Sequence, residues 1–376
     1  MIYKIKPDTK DLLLLTPWYA GSHKAWADGY KKSSKLDIDV WTLPGRFWKW
    51  RMHGAAVHFA NKFLNSKVKY QRILATDMMD LAVFAGLIRS QSASIPIDLY
   101  MHENQLAYPW SPTDPDVSNK DQKEGRDRHY GFINWTSALA ADNVYFNSKF
   151  NQQSFLQALP QFLAVYPDTR SIDLVRGVAK KSKVLYSGMD LLGIGQKKKF
   201  NEVPVLLWNH RWEYDKNPEL FFRTLIKLKK ERIEFKLIVV GEQYKKIPTI
   251  FDEAKQKLSD RIIHFGYVEK HKDYLALICT ADILPVTATH DFFGVSVVQA
   301  MYIGLLPVLP NNLAYPEHMP ANCPAEINLY EEGSFESSLR AALVNYRSYD
   351  AKIVQSHLSS YDWTKISPIY DAHLTL

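Results

Sequence analysis

What most constrains this chain is a rhythm. Short segments rich in Leu, Ile and Val alternate with stretches whose apolar residues recur at helical spacing, the pattern of strands and helices built around a parallel sheet. Leu12–Leu15, Ile38–Thr42, Arg72–Ala75, Ile97–Tyr100 and Asn143–Phe146 read as strands, with helices over Asp77–Ile88 and Ser148–Ala158. The rhythm stops over Pro160–Lys199, where prolines, the basic cluster Lys180, Lys181 and Lys183, and the string GIGQKKK mark a domain connection. It then restarts. Strands are expected at Val203–Trp208, Phe235–Val240, Arg261–Phe265, Asp282–Pro285 and Leu305–Leu309, and helices at Pro218–Lys230, Thr249–Leu258, Gly294–Ile303 and Ser334–Tyr346. An α/β fold of two doubly wound domains in tandem follows, residues 1–185 and 186–346 with a C-terminal segment 347–376, and a chain of 376 residues suffices for both. Ligands of such sheets bind at the carboxyl ends of the strands, so the site is expected in the cleft between the domains.

Composition narrows the class. With 46% hydrophobic residues against 23% charged, the chain has ample apolar surface to order itself. No apolar run approaches the roughly 18 residues of a membrane helix. The N-terminus MIYKIKPDTKD also lacks the apolar core of a signal peptide, so a cytoplasmic protein without a membrane partner is expected. Cys279 and Cys323 have no zinc-like spacing and cannot build a disulfide framework. The formal net charge of +7 is compatible with an anionic partner such as nucleic acid without requiring one.

Neither GxGxxG nor GxxxxGK[ST] occurs, which removes the main support for dinucleotide and P-loop readings. Three strand-end motifs carry chemistry instead. The turn Thr16–Lys24, holding Gly21, Ser22 and His23, opens a helix and offers amides and a positive dipole end to an anion, or is simply a structural turn. After Val205–Trp208, Arg211 in forked geometry and Lys216 as a point charge suit a diphosphate; a surface ion-pair cluster with Glu213 and Asp215 is the other reading. In His290–Ala300, Gly294 starts an apolar helix whose first amides, at Gly294, Val295 and Ser296, suit phosphate oxygens, with Gln299 facing back toward the same ligand.

Two further segments are ambiguous. The polar stretch Ser111–His129 reads as a solvated insertion loop, or as a lid or acceptor flap; its Lys120, Lys123, Arg126 and Arg128 would extend a basic surface. The run Arg46–His53 interleaves Arg46, Lys49 and Arg51 with aromatic rings, which suits stacking on splayed bases while holding phosphates, or an amphipathic edge whose tryptophans pack on the domain.

These motifs resemble a known family. Asp291 and Gln299 have the E-x7-E spacing of glycosyltransferase family 4, retaining enzymes of GT-B fold, with FFG between them. HENQLAYP at His102–Pro109, VYFNSKFNQQSF at Val144–Phe155, LLWNHRWEYDKNPE at Leu206–Glu219, VVGEQYKKIPTIF at Val239–Phe251 and the HDFFGV segment are similar to the tRNA-queuosine mannosyltransferase family, over about Leu12–Trp363. The resemblance implies two Rossmann-like lobes, a C-terminal helix that crosses back to the first, and retaining transfer of mannose from GDP-mannose to the cyclopentenediol of queuosine in tRNA. It implies no cofactor and no metal. Asp37-Ile38-Asp39 and Asp114-Pro115-Asp116, the strings nearest to a metal-binding DxD, read as structural.

By the same resemblance His102 and Asp291 are the catalytic candidates, and Gly21, Ser22, Arg211, Lys216, Tyr267, Phe293, Gly294, Val295 and Gln299 hold the donor. His23, Asp77, Glu103 and Asn104, with Arg46, Lys49 and Arg51, would bind the acceptor, while Trp363 is structural. Asp291 and Gln299 depart from the family's two glutamates: Asp291 is one methylene shorter, and Gln299 keeps one acceptor oxygen but adds two donors. The Ser111–Arg128 segment looks longer than the corresponding family loop. Another nucleotide sugar, a non-tRNA acceptor, or a binding protein whose catalysis has decayed therefore stand as alternatives.

Overall fold

Leu12, Leu13, Leu14 and Leu15 are all fully buried, and they point alternately into two separate cores. Leu13 and Leu15 pack with Phe59, Phe63 and Phe84 on one face of a sheet; Leu12 and Leu14 pack with Trp26 and Tyr30 on the other. A strand covered on both faces by helices needs apolar residues at every position, which is why this run lacks the alternation of a half-exposed strand. The structure, a computed structural model, describes residues 9–110, 128–197, 199–243, 247–323, 327 and 329–375.

The chain forms two compact units, one running to Met189 and resuming at Trp363, the other Asp190–Asp362. The first contains β1 (Thr9–Tyr19), α1 (Gly21–Ser33), β2 (Ile38–Pro44), α2 (Trp48–Leu64), β3 (Lys69–Thr76), α3 (Leu81–Ser92), β4 (Ile97–Met101), α4 (His129–Ala140), β5 (Val144–Phe146), α5 (Lys149–Ala164), α6 (Val175–Lys181) and β6 (Ser182–Val184). Its strands form one parallel sheet in the order β2-β1-β3-β4-β5-β6. The second contains β7 (Val205–Trp208), α7 (Pro218–Lys230), β8 (Lys236–Val240), α8 (Ile250–Lys257), β9 (Ile262–Gly266), α9 (His271–Ile278), β10 (Ile283–Pro285), α10 (Val295–Ile303), β11 (Leu306–Val308), α11 (Phe335–Asn345) and α12 (Lys352–Leu358). Its parallel sheet runs β11-β10-β7-β8-β9.

The last helix, α13 (Trp363–Leu374), belongs to the first unit. Trp26 Nε1 and Tyr100 Oη meet the Tyr370 hydroxyl at 3.0 and 2.8 Å, and Tyr30 Oη donates to Asp371 at 2.9 Å. The Trp363 indole is 2% exposed and lies so close to Gly29 and Gly188 that a Cβ at either glycine would overlap it.

Several sequence expectations are corrected. Residues 160–199 are not merely a connection: α5 continues through Pro160 to Ala164, and α6 and β6 complete the first sheet. Pro160 is on the exposed side of its helix, where the carbonyl it leaves without a donor can face water. Lys181 of the basic cluster closes the end of α4, its ammonium donating to the carbonyls of Leu139 at 2.8 Å and of Ala141. Helix α3 begins at Leu81, not Asp77, because Asp80 caps it by accepting from Val83 N at 3.0 Å. Residues 347–362 pack with the second unit, where Gln355 Nε2 donates to Tyr302 O at 2.9 Å, so only the chain from Trp363 onward returns. Asp37 and Asp39 both face Lys10, at 2.9 and 3.5 Å. Asp114–Asp116 and the cations Lys120, Lys123 and Arg126 lie outside the described residues. Among the described residues no helix is long and apolar enough to cross a membrane.

Candidate active site

In the second unit β10 pairs with β7, so the loops that leave their carboxyl ends are neighbours. Trp208, fully buried against Phe221 and Phe222, anchors the end of β7. Beyond it Asn209 Nδ2 donates to Ser296 O at 2.8 Å, tying this loop to the first turn of α10. The turn Tyr214–Lys216 is stitched to the other loop by Thr289 N to Asp215 O, 2.8 Å, and Thr287 Oγ1 to Lys216 O, 2.9 Å. Two sequence motifs, Asn209–Lys216 and His290–Gln299, are thus one structure.

At the junction is Lys216, 6% exposed. Its ammonium meets three oxygens: His290 O at 2.6 Å, Asp215 Oδ2 at 3.0 Å and Asp291 Oδ2 at 3.6 Å. The first is a hydrogen bond and the other two are ion-pair contacts, so the cation faces one carbonyl and two carboxylates. The surface ion-pair reading of this segment is wrong for Lys216 and fits Arg211, whose side chain is 41% exposed and reaches Glu213 at 3.2 Å. Burial pushes the Asp291 carboxyl up, yet the Lys216 charge, helped by the Phe293 amide, outweighs it and holds the group below the ordinary carboxylate range. Burial, and then the Lys216 charge, bring both His210 and His290 down to about 4, so the imidazoles beside the cation are neutral.

Gly294 adopts φ 83° at the start of α10, and a Cβ there would sit 3.1 Å from the Tyr315 ring; only glycine suits both conditions. No side chain caps this helix start, where Val295 and Ser296 form the first turn and Gln299 lies half-buried further along. Phe293, expected at the donor, lies in the core of this loop. It is 3% exposed, packs on His318 and Tyr361, and its carbonyl is bonded by His318 Nε2 at 2.6 Å. Tyr315 Oη donates to Asp291 Oδ2 at 3.3 Å. Sequence reasoning missed Tyr315 and His318, because they come from the short turn Tyr315–His318, which has no glycine and does not directly follow a strand. Tyr267 stands apart at the end of the edge strand β9, 60% exposed, after Gly266.

The first unit gathers its own group. His102, just past β4, is 8% exposed and packs on His23 of α1 with ring centres 4.2 Å apart, on Trp26 at 4.7 Å and on Tyr100 at 4.8 Å. Burial, reinforced by His23, holds the His102 imidazole well below its ordinary pKa, so it is neutral. Its Nε2 is buried with no hydrogen-bond partner among the described residues, as are the hydroxyls of Thr16 and Thr76 at the ends of the neighbouring strands β1 and β3. Buried polar atoms of this kind want a partner. Gly21, in the left-handed region at φ 50°, and Ser22 open α1 on the exposed surface before His23.

Two acceptor candidates have internal hydrogen-bond partners. Asp77, 2% exposed, accepts from the His102 amide at 2.9 Å and so fixes the turn that carries the histidine. Burial, followed by the charge of Glu103, raises its carboxyl well above the ordinary range. Asn104 is fully buried and its amide group is used internally, donating to Asn151 and Ser154 and accepting from Ala107 N. Glu103 is half-buried and accepts from Gln105 Nε2 at 2.8 Å. Arg46, Lys49 and Arg51 cluster around the start of α2.

Two parallel Rossmann-like sheets in tandem, the second with an uncapped glycine-started helix beside a buried cation, are the architecture of the GT-B fold. Sucrose-phosphate synthase from Thermosynechococcus elongatus shares the fold at TM-score 0.70 and 12% identity, covering 96% of this chain and 98% of that one. HepE from Anabaena, solved with UDP and glucose, does so at TM-score 0.63 and 16% identity, covering 97% and 99%. Residues 194–321 match the profile of glycosyl transferases group 1, and residues 11–189 that of the tRNA-queuosine alpha-mannosyltransferase N-terminal region. The tRNA-queuosine alpha-mannosyltransferase of Drosophila melanogaster is 35% identical over 323 residues, 82% of this chain and 81% of that protein. The chain belongs to the tRNA-queuosine alpha-mannosyltransferase family.

Proposed function

We propose that this glycosyltransferase moves mannose from GDP-mannose to the cyclopentenediol of queuosine in tRNA, with retention of the anomeric configuration and without a metal ion. Kinship supports the acceptor and the sugar. The observation that supports a diphosphate-bearing donor is the Lys216–Asp291 contact beside the uncapped start of α10. At 3.6 Å it is the longest of the three contacts of the ammonium, hence the one most readily exchanged for a phosphate oxygen. Arg211 and the first-turn amides of α10 complete the diphosphate site, and exchange frees the Asp291 carboxylate for sugar hydroxyls.

In the step itself the bond from the anomeric carbon to the diphosphate oxygen breaks and a bond to the acceptor oxygen forms, while the acceptor proton passes to the departing phosphate. Charge grows on the diphosphate in an oxocarbenium-like transition state, and each preorganised donor aimed at it is worth about 3 kcal/mol. Neutral His102, with Thr16 and Thr76, supplies polar atoms for hydroxyl groups. Gln299 in place of a glutamate retains one ribose-accepting oxygen.

The test is incubation with labelled GDP-mannose and tRNA from cells that make or lack queuosine. Label in the queuosine-containing pool alone is the expected result. Label in both pools would reject the acceptor, label only from a different nucleotide sugar would reject the donor, and no transfer despite donor binding would favour a decayed enzyme.

A further inference from the structure

Between Asp39 and Asp77 the sequence contains no carboxylate. Helix α2 starts in this stretch with Trp48-Lys49-Trp50-Arg51 and no acidic residue in its first turn, although acidic groups there would favour the helix dipole. The aromatic residues divide between two directions. Trp48 packs inward on Tyr130, ring centres 4.9 Å apart, beside Met52, Met78 and Ile133. Phe47 and Trp50 point outward, 70% and 62% exposed.

The Trp50 ring is seated, and at Phe47 the backbone is fixed. The Trp50 indole lies along its own helix over Gly54, where a Cβ would come within 2.7 Å of the ring. Phe47 is held at φ 57°, a left-handed conformation that costs a bulky residue of order 1–3 kcal/mol and persists where the surroundings enforce it. Cations lie against Phe47 and against the rings next to Trp50. The Arg46 guanidinium is 5.7 Å from the centre of Phe47, and the Lys49 ammonium stands between Trp48 and Trp110 at 5.7 and 5.4 Å. Arg51 is braced by Pro44 O at 3.2 Å, and His53 stacks on His129 at 4.7 Å. Gly45, just ahead of this group, packs so closely on Ala20 that a Cβ would overlap it, and Ala20 precedes the turn into α1 that carries His23 against His102.

We propose that this corner of the first unit is a stacking platform for single-stranded RNA, with unpaired bases on Phe47 and Trp50 and phosphates on Arg46, Lys49 and Arg51. The inference rests on the tRNA reading above and assigns it a surface: the nucleotides flanking the modified one in the anticodon loop. Charge and ring exposure match a polyanion with flat faces. A membrane surface matches less well, because, of the large apolar side chains that follow Trp50 in α2, Met52, Phe59 and Phe63 are buried and Val57 alone is largely exposed, too little apolar surface beside the two rings for a bilayer.

The experiment measures the dissociation constant of the full chain for an anticodon stem-loop RNA that lacks queuosine, at several salt concentrations. Phe47→Ala and Trp50→Ala should each weaken binding by at least roughly fivefold, the effect of losing one base–ring stack, and Trp50→Phe should recover most of it. Neutralising Arg46, Lys49 and Arg51 to glutamine should flatten the salt dependence. Ile369→Ala, an exposed change on α13, serves as the surface control and should bind as the wild type does. Ring variants that bind within twofold of wild type while queuosine-tRNA is still glycosylated would overturn the platform alone. Wild-type protein that binds no tRNA would overturn the tRNA reading and the platform with it. Equal affinity for phosphatidylserine vesicles would reassign the surface to lipid.

Discussion

Lys216→Met separates a surface clamp from a buried pivot. The substitution keeps the aliphatic stem and removes the charge, leaving the carboxylates of Asp215 and Asp291 buried without their cation and the His290 carbonyl without its donor. Asp215 is 1% exposed, and removing one partner of a buried ion pair costs about 3–5 kcal/mol. For a unit the size of Asp190–Asp362, each kcal/mol lowers the melting temperature by about 2–4 °C, so a fall of roughly 6–20 °C is expected. Arg211→Ala is the contrast: its ion pair with Glu213 is well exposed, and its loss should cost at most about 1 kcal/mol. Calorimetry of both variants and transfer assays on the same preparations give the answer. Both should lose at least tenfold in activity, while only Lys216→Met should melt early. Its deficit should shrink in acid, because the largest influence that holds the Asp291 carboxyl down against burial is then gone and the orphaned carboxyl protonates more readily. Adding Asp291→Asn should restore part of the loss. A Lys216→Met protein that melts within 2 °C of wild type would refute the reasoning.

His102→Gln should cut transfer at least tenfold with little change in melting temperature, read by initial rates at saturating donor. Asp77→Asn keeps an oxygen for the His102 amide, and because the raised carboxyl favours the folded state only while protonated, the variant should gain stability relative to wild type as pH rises through the folded pKa. In the second unit the lowered pKa values of His210, His290 and His318 work in the opposite sense. The unfolded chain takes up protons first, so stability should fall by several kcal/mol between pH about 6.5 and about 4, as measured by amide exchange in β7 and β10. Gly188→Ala should destabilise the first unit by more than about 2 kcal/mol through overlap with Trp363, read by denaturant titration.

Much of the fold was legible because buried parallel strands leave an unmistakable apolar signature, and Leu12–Leu15, Leu206–Trp208 and Leu237–Val240 all carry it. Elements held by single contacts were not. β6 is three residues long with two polar ones, and it joins the sheet through backbone pairing to β5 that no side-chain pattern announces. The start of α3 depended on which of two nearby aspartates capped it. At the candidate site, residue type singled out Arg211, Asp291 and Gly294, because charge and glycine after a strand are local signals. What distinguished Lys216 from Arg211 was burial, set by the distant loop Thr287–Asp291. Asn104 and Asp77 had the right chemistry at the right strand ends, but their oxygens and nitrogens are committed to the backbone and side chains around them.

The return of α13 to the first unit has a consequence for how the polypeptide emerges from a ribosome. The face of the first sheet that holds Trp26, Tyr30 and Tyr100 receives Trp363 and Tyr370 only when the final segment is made, after all of Asp190–Asp362 has been synthesised. Domains usually fold in the order in which they are translated. Here the second can close while the first still waits with an open aromatic face, which makes that interval the stage at which a chaperone would matter most.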